Sequence, residues 1–446
     1  MKPRKATVAC LYNGKNATAQ IAADLGSFRF TDVASGSSDS ISIQVNDRDR
    51  RWINGWFPQK GDHLTPTIRT ENWEHNWQWG AMFCGSFVVD DFSFRGGPLS
   101  MTLEGVAIPA TSSFRTKKRT ITYEGTTVKE IARKVASRAG VVLFYEAPAV
   151  SVEKVEQNNQ DDCSFLNTIV TRYGLAMKVF NNKLVIFNEG AYEARPAVAT
   201  LSGNEYPTYN PGRRIIKVEP GWSWNTTLEG TYTGVSYEYT NSDKNKTFTV
   251  TAGGGGRILY CNEAAENLTE ATAIALAALN NANKSTTTMR VTIRGSWRIY
   301  AGACVNVTGL GQLGGKYFVE KAEHSIGSGY KMTLTLRKVE RRFTSAKAYS
   351  TSVAERHSVQ QQPAPPAAAP AAPPAAPPAP KKGGTYVLKV TKKGYYTAAE
   401  ALAGAVKPGN PHGVRRPGTY FIFNISQGML NLTTVKGVPG SWVNPN

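Results

Sequence analysis

The sequence predicts a mainly β protein: two similar β-domains flanking a small α+β domain, then a Pro/Ala linker and a small β module. Three observations predict it. Apolar residues alternate with polar ones at both ends of the body, the spacing turns helical between them, and a run of prolines and alanines lies near residue 370. At 446 residues the chain is too long for one ordinary core, so several domains are expected.

Residues 1–118 read as strands. Ile41, Ile43 and Val45 alternate with Ser42 and Gln44, the period of a half-buried strand. Gly85-Ser-Phe-Val-Val-Asp and Leu99-Ser-Met-Thr-Leu-Glu continue it, separated by the turn Arg95-Gly-Gly-Pro98. Residues 119–200 change character. Thr127 and Glu130 have capping-box spacing, and Val128, Ile131, Ala132, Val135 and Ala139 keep a helical period until Gly140. A second helix is expected after Asp161-Asp162, with Phe165, Leu166, Ile169 and Val170 on one face, ending at Gly174. Leu175, Met177 and Val179 then alternate, Asn181-Asn182 turns the chain, and Leu184–Phe187 returns. Residues 201–342 resume strands near Ile215, with a glycine loop at 253–256 and an Ala-rich helix over Asn262–Asn280.

An internal repeat links the two β-rich parts. Residues 85–103 read GSFVVDDFSFRGGPLSMTL and residues 315–334 read GKYFVEKAEHSIGSGYKMTL. Both open with Gly, place an aromatic two residues on (Phe87, Tyr317) and a valine four residues on (Val89, Val319), and close on Met-Thr-Leu. They fall one residue out of register at the turn. Upstream of each, a glycine opens a strand: Gly61-Asp-His-Leu and Gly302-Ala-Cys-Val. One chain then presents two quasi-equivalent faces, so three chains can mimic a six-fold ring.

Residues 343–383 form the linker. Its run Gln360–Pro380, QQQPAPPAAAPAAPPAAPPAP, has no aromatic, charged or branched side chain to bury, so it is expected to be an extended, disordered spacer. At about 3.1 Å per residue, Pro363–Pro380 would reach roughly 55 Å. Residues 384–446 form the small β module.

Composition narrows the function classes. No segment is long and apolar enough to suggest a membrane span, and Met1-Lys-Pro-Arg-Lys-Ala6 is not followed by the apolar run of a secretory signal. Assembly in a bacterial cytoplasm is the expectation. Cys10, Cys84, Cys163, Cys261 and Cys304 are odd in number and far apart, which suits buried free thiols rather than a zinc or redox pair. The net charge of +19 is spread in small clusters such as Lys117-Lys118-Arg119, Arg213-Arg214 and Arg341-Arg342. The end of the chain is denser: from Lys381 there are nine basic residues against one acid, Glu400. That bias suits an acidic surface such as a bacterial wall. A nucleic-acid-binding reading rests on charge alone, with no zinc knuckle, helix-turn-helix or arginine-rich arm.

Enzyme chemistry finds little support. His63, His75, His324, His357 and His412 lack metalloprotease spacing, and the cluster of His63 and His75 with Glu71 and Glu74 reads as a polar hairpin. His324 lies in an alternating strand, more suited to structure than to base catalysis. Asp161-Asp162 beside Cys163 would raise a thiol pKa rather than activate it. The glycine run lacks the Gly-Lys-Ser/Thr of a phosphate cradle. Any two acids can meet as a glycosidase pair, but no specific pair is recommended. Trp73, Trp77 and Trp79 suit either a patch for a neighbouring subunit or a core-and-hairpin role.

Two stretches carry a family resemblance. Gln160–Val179, QDDCSFLNTIVTRYGLAMKV, and Ser296–Val339, with its Ala-Gly-x-x-Val-x-Val-x-Gly and Gly-x-Tyr-x-Val elements, resemble the phage late control protein D and baseplate hub family. The resemblance covers roughly residues 5–342. It implies a homotrimeric ring with two tube-like barrels per subunit, adapting a hexameric tail tube to a trimeric spike within the virion baseplate, with a lumen through which DNA passes. Implied partners are the tail tube protein, the spike protein and other baseplate proteins.

Residues 384–446 are similar to src-homology-3-like wall-binding modules. The similarity rests on Gly394-Tyr-Tyr-Thr-Ala-Ala-Glu, Arg416–Asn424, Ser426-Gln-Gly-Met and Gly437–Pro445. It implies peptidoglycan as a partner. Tyr395, Tyr396, Tyr420 and Trp442 would offer flat faces, with Arg415, Arg416, Lys392 and Lys393 near the anionic wall; core packing is the competing role for these aromatics. No cofactor, metal or catalytic residue is expected. The function expected is a structural baseplate hub of a contractile phage tail or tail-like bacteriocin; the chief alternative is a peptidoglycan hydrolase carried on the tail tip.

Overall fold

The computed structural model describes residues 2–74, 76–107, 113–204, 215–352, 380–404 and 413–445. Residues 360–379 of the Pro/Ala run and residues 205–214 lie outside the described residues. Two compact units emerge, residues 1–362 and 363–446.

The first unit opens with β1 (Lys5–Tyr12), β2 (Lys15–Asn16), helix α1 (Thr18–Asp24), β3 (Leu25–Val33), β4 (Ser40–Asn46), β5 (His63–Glu71), β6 (Trp79–Phe83), β7 (Phe87–Arg95) and β8 (Ser100–Val106). Next come α2 (Ser113–Thr116), β9 (Lys118–Thr127), α3 (Val128–Arg138), β10 (Val142–Glu146), β11 (Ser151–Asp161), α4 (Asp162–Arg172), β12 (Ala176–Phe180), β13 (Lys183–Phe187) and α5 (Glu189–Ala194). The rest comprises β14 (Ala199–Ser202), β15 (Ile215–Lys217), β16 (Ser223–Thr226), β17 (Gly234–Asn241), β18 (Lys246–Gly253), β19 (Ile258–Cys261), α6 (Leu268–Asn283), β20 (Thr287–Arg294), β21 (Cys304–Thr308), β22 (Gly315–Ile326), β23 (Tyr330–Lys338) and β24 (Lys347–Ser352).

The two repeats lie in one continuous sheet. β7-β8-β4-β3 forms one half, β22-β23-β20-β16 the other, and antiparallel pairing of β22 with β3 joins them. Alternation builds each core: Phe28, Phe30, Ile41, Ile43, Val45, Met101 and Leu103 face one interior, while Met289, Val291, Ile293, Met332, Leu334 and Leu336 face another. The polar partners of these strands point the other way.

A third core binds the insert. α3 begins where the Thr127 hydroxyl accepts the Glu130 N–H at 3.2 Å. The reciprocal half of the expected box is not among the bonds of Glu130; its carboxylate pairs with Arg133 instead. α4 begins at Asp161, which accepts the Ser164 N–H at 2.8 Å. Asn181 and Asn182 take positive φ, +46° and +57°, in the tight turn between β12 and β13.

The structure moves several boundaries. Residues 1–118 hold two helices, α1 and α2, not strands alone. Residues 234–283, expected inside the second β-domain, leave it. Their strands form a separate sheet with β24, and Tyr237, Val250, Ile274 and Leu279 share a core with Ile131, Leu166 and Ile186 of the insert. β24 also corrects the linker, because Lys347–Ser352, expected in the spacer, pairs antiparallel with β18.

The second unit contains β25 (Thr385–Leu388), β26 (Lys392–Lys393), α7 (Ala398–Ala403), β27 (Val414–Arg415), β28 (Gly418–Ser426), β29 (Met429–Thr433) and β30 (Ser441–Val443). β25-β28-β29-β30 form an antiparallel sheet over Leu388, Ile422, Leu430, Leu432 and Val443. α7 carries a complete capping box, Thr397 with Glu400, and ends at Gly404 with φ +63°.

Candidate functional sites: an assembly sheet and a terminal aromatic-basic cluster

The duplication read from sequence holds at the level of single hydrogen bonds. In the first repeat the Gly61 N–H donates to the Val89 carbonyl at 2.9 Å and the Val89 N–H donates to Asp62 at 2.8 Å. In the second, the Gly302 N–H donates to Val319 at 2.8 Å and the Val319 N–H donates to Ala303 at 2.9 Å. Gly61 and Gly302 sit at φ +93° and +91°, a region that favours glycine. Each long strand is irregular just after its valine: the register shifts between Val89 and Asp91 in β7, and between Val319 and Lys321 in β22. Beyond the shift Phe94 faces Met101 as His324 faces Met332. Two copies of one bulged hairpin are therefore present.

Where the repeats meet inside the chain, the junction is aromatic and buried. Lys321–Ile326 of β22 pairs with Phe28–Val33 of β3. His324 stacks on Phe30 with ring centroids 5.5 Å apart, and its Nδ1 shares a 2.8 Å hydrogen bond with the Tyr330 hydroxyl. Burial pushes His324 down to about 4, so it is a neutral core residue at physiological pH. The insert is tied to both repeats through Lys178 of β12. Its ammonium contacts Asp32 and lies 3.1 Å from Asp39, while the other Asp32 oxygen accepts the Ala301 N–H at 2.7 Å. Burial raises Asp39 to about 7 despite Lys178. A second knot joins α5 to β23: Arg337, almost fully buried, contacts Glu193 and lies 3.2 Å from Glu320 and 3.6 Å from Glu189, with Arg342 also on Glu193. Sequence reading missed both clusters, since charged partners far apart in the chain leave no periodic signal.

The tryptophans divide. Trp73 is buried and its indole donates to the Gly295 carbonyl at 2.6 Å, whereas Trp77 and Trp79 are 72 % and 71 % exposed. His63 is exposed, and Glu74 pairs with Gln78 and lies 3.9 Å from Arg298; His75 lies outside the described residues. Cys163 is partly buried, and burial outweighs nearby Arg115 in raising its thiol, so the acidic neighbours are not the main cause. No group of three or more His, Cys, Asp or Glu side chains suited to a metal ion occurs among the described residues.

At the end of the chain, Arg415, Tyr420, Trp442 and Tyr395 come together. Lys392 pairs with Arg415 across β26 and β27, the Arg415 guanidinium lies 5.9 Å from the Tyr420 ring, and one of its nitrogens donates to Ser441 at 3.1 Å. Tyr395 and Trp442 exchange backbone bonds of 2.8 Å each. Tyr395, expected as a contact face, turns inward at 7 % exposure and packs with Ala401 and Met429; a domain this small uses an aromatic to fill its core. Tyr396 is 58 % exposed and Arg416 is exposed, while Tyr420 and Trp442 are half-buried.

These features define a fold shared with phage tail proteins. Among solved structures, a tail protein from Neisseria meningitidis MC58 superposes with a TM-score of 0.56 at 14 % identity, covering 75 % of this chain and 96 % of that one. A 43 kDa tail protein of prophage MuSo2 from Shewanella oneidensis gives 0.56 at 10 % identity, over 75 % and 98 %. The chain belongs to the YQBQ-like family, whose sequence profile matches residues 113–337. No curated protein matches the sequence.

Proposed function

We propose that this chain is a structural hub of a contractile phage tail or tail-like particle, located in the tail baseplate. Three copies form a ring that adapts a six-fold tail tube to a three-fold spike. The observation that carries this reading is the duplicated bulged hairpin within one continuous sheet: two like units per chain let three chains present six like faces. The tail-protein fold supports it. The partners are the tail tube protein, the spike protein, neighbouring baseplate proteins and DNA in transit through the lumen. The role is geometric rather than catalytic, and incubation with purified peptidoglycan is expected to release neither reducing ends nor free amines.

The C-terminal unit, in this reading, is a src-homology-3-like anchor for the bacterial wall. Tyr396 and Arg416 are its exposed contacts, with Trp442, Tyr420 and Arg415 forming the half-buried floor. Cryo-EM of purified particles carrying a tagged copy tests the hub assignment. Density on the tail axis between tube and spike is expected; a tag elsewhere on the particle would refute it. Sedimentation of the full chain with insoluble wall material tests the anchor, with Tyr396→Ala and Arg416→Glu expected to reduce binding.

A further inference from the structure

Pairing of β22 with β3 closes the boundary between the repeats on one side. The pseudo-equivalent boundary on the other side is open. β7 corresponds to β22, because Asp91 opposite Glu104 matches Lys321 opposite Thr335, and Ser93 opposite Thr102 matches Glu323 opposite Thr333. β16 corresponds to the end of β3. Phe30 lies opposite Ile41 of β4, Trp224 lies opposite Met289 of β20, and β4 and β20 hold matching places against β8 and β23. Yet Asp91–Arg95 of β7 pairs only with β8, and β16 pairs only with β20, so each has a bare edge among the described residues. Bare edges of this kind are templates for another strand.

The side chains repeat the asymmetry. Ala322 and His324 are wholly buried at the closed boundary. Their counterparts Phe92 and Phe94 are only partly covered, and Phe57, 52 % exposed, stacks on Phe94 with centroids 5.6 Å apart. The closed boundary places an aromatic ring, Phe30, against His324. The open edges carry rings at both corresponding places, Phe94 and Trp224.

We propose that Asp91–Arg95 adds antiparallel to β16 of a second copy of this chain, and that the in-chain register dictates the pairing. Ala322 opposite Asp32, Glu323 opposite Thr31, His324 opposite Phe30 and Ser325 opposite Arg29 become Phe92 opposite Thr226, Ser93 opposite Asn225, Phe94 opposite Trp224 and Arg95 opposite Ser223. This rests on the ring reading above and supplies its interface: a sheet that runs unbroken from chain to chain, with Phe94 and Trp224 sealing the joint.

The test is disulfide trapping of the full chain. Directly opposed antiparallel residues have Cα atoms about 4.5–5.5 Å apart, within the range a disulfide bridges, whereas a diagonal neighbour stands roughly 7–8 Å away. Ser93 and Asn225 are exposed, so cysteines there leave the core intact. Ser93→Cys with Asn225→Cys is expected to give a covalent three-chain species on a non-reducing gel. Each single variant, and the offset pair Ser93→Cys with Ser223→Cys, is expected to give none. Phe94→Asp is expected to lower the oligomer fraction at least ten-fold with an unchanged circular dichroism spectrum. An oligomeric protein in which the in-register pair fails to cross-link, or the offset pair links equally well, overturns this pairing and leaves the ring standing. A protein that is monomeric and never links overturns both.

Discussion

Gly61→Ala and Gly302→Ala probe the duplication one residue at a time. Both glycines hold φ near +90° and both donate to the valine that precedes a bulge. An added methyl meets no atom within 4 Å at Gly61 and only Tyr192 Cδ1 at 3.9 Å at Gly302, so steric clash contributes nothing at either. What remains is the backbone cost of holding an L-residue at positive φ, roughly 1–2 kcal/mol. It is offset in part by the smaller chain entropy of alanine in the unfolded state, about 0.4–1 kcal/mol. Each variant should therefore lose about 1 kcal/mol. Because the two sites have different hydrogen-bond partners, the double variant should lose about the sum. Urea unfolding followed by tryptophan fluorescence measures this. A neutral change at one glycine with a loss above about 3 kcal/mol at the other would show that the two turns are not equivalent, and the reasoning would fail.

Gly295→Ala is a contrasting case: its methyl would overlap the Tyr330 ring, so a loss of about 1–3 kcal/mol or more is expected from overpacking, read by the same assay. Arg337→Met takes one cation from the buried cluster of Glu193, Glu189 and Glu320, while Arg342 still pairs with Glu193 and Glu189 and Lys284 with Glu189, so a loss of about 1–3 kcal/mol in thermal or urea unfolding is expected, more than for an exposed arginine such as Arg133. Asp39 holds a proton up to about 7 in the folded chain, above its ordinary value, so between roughly pH 4 and 7 the native state binds more protons than the unfolded one. Stability should then fall as pH rises through that window, by at most ~1.4 kcal/mol per pH unit, and Asp39→Asn should flatten the slope in a pH series of melting curves. Tyr395→Ala should destabilise the C-terminal unit by about 3 kcal/mol, whereas Tyr396→Ala, at a side chain 58 % exposed, should cost far less stability and act mainly by lowering wall sedimentation.

The duplication was legible because its marks are local. A glycine that must take positive φ, an aromatic and a valine at fixed offsets, and Met-Thr-Leu at period two all survive in the printed sequence. The N-caps Thr127 and Asp161 were legible for the same reason. Helix α1 was not: its N-cap Ala17 makes no side-chain bond, and Ile21 is its one buried residue, too little for a periodic signal. Tertiary partnership also left no trace. Strands 234–241 and 246–253 alternate as well for one core as for another, and only the fold places Tyr237 and Val250 against the insert. The polar Lys347–Ser352 strand looked like spacer because its order comes from pairing with β18, not from side chains of its own. At the terminal cluster, residue types gave the neighbourhood, but inward and outward tyrosines side by side, Tyr395 and Tyr396, are distinguished only by the Tyr395–Trp442 bridge.

A cryo-EM reconstruction of the purified full-length oligomer, made without imposed symmetry, bears most directly on the hub. Three 48.5 kDa chains should close a ring whose wall shows six near-identical hairpins, alternately residues 87–106 and 315–338. A ring of six chains, or one in which the two hairpins lie at different radii, would contradict the account.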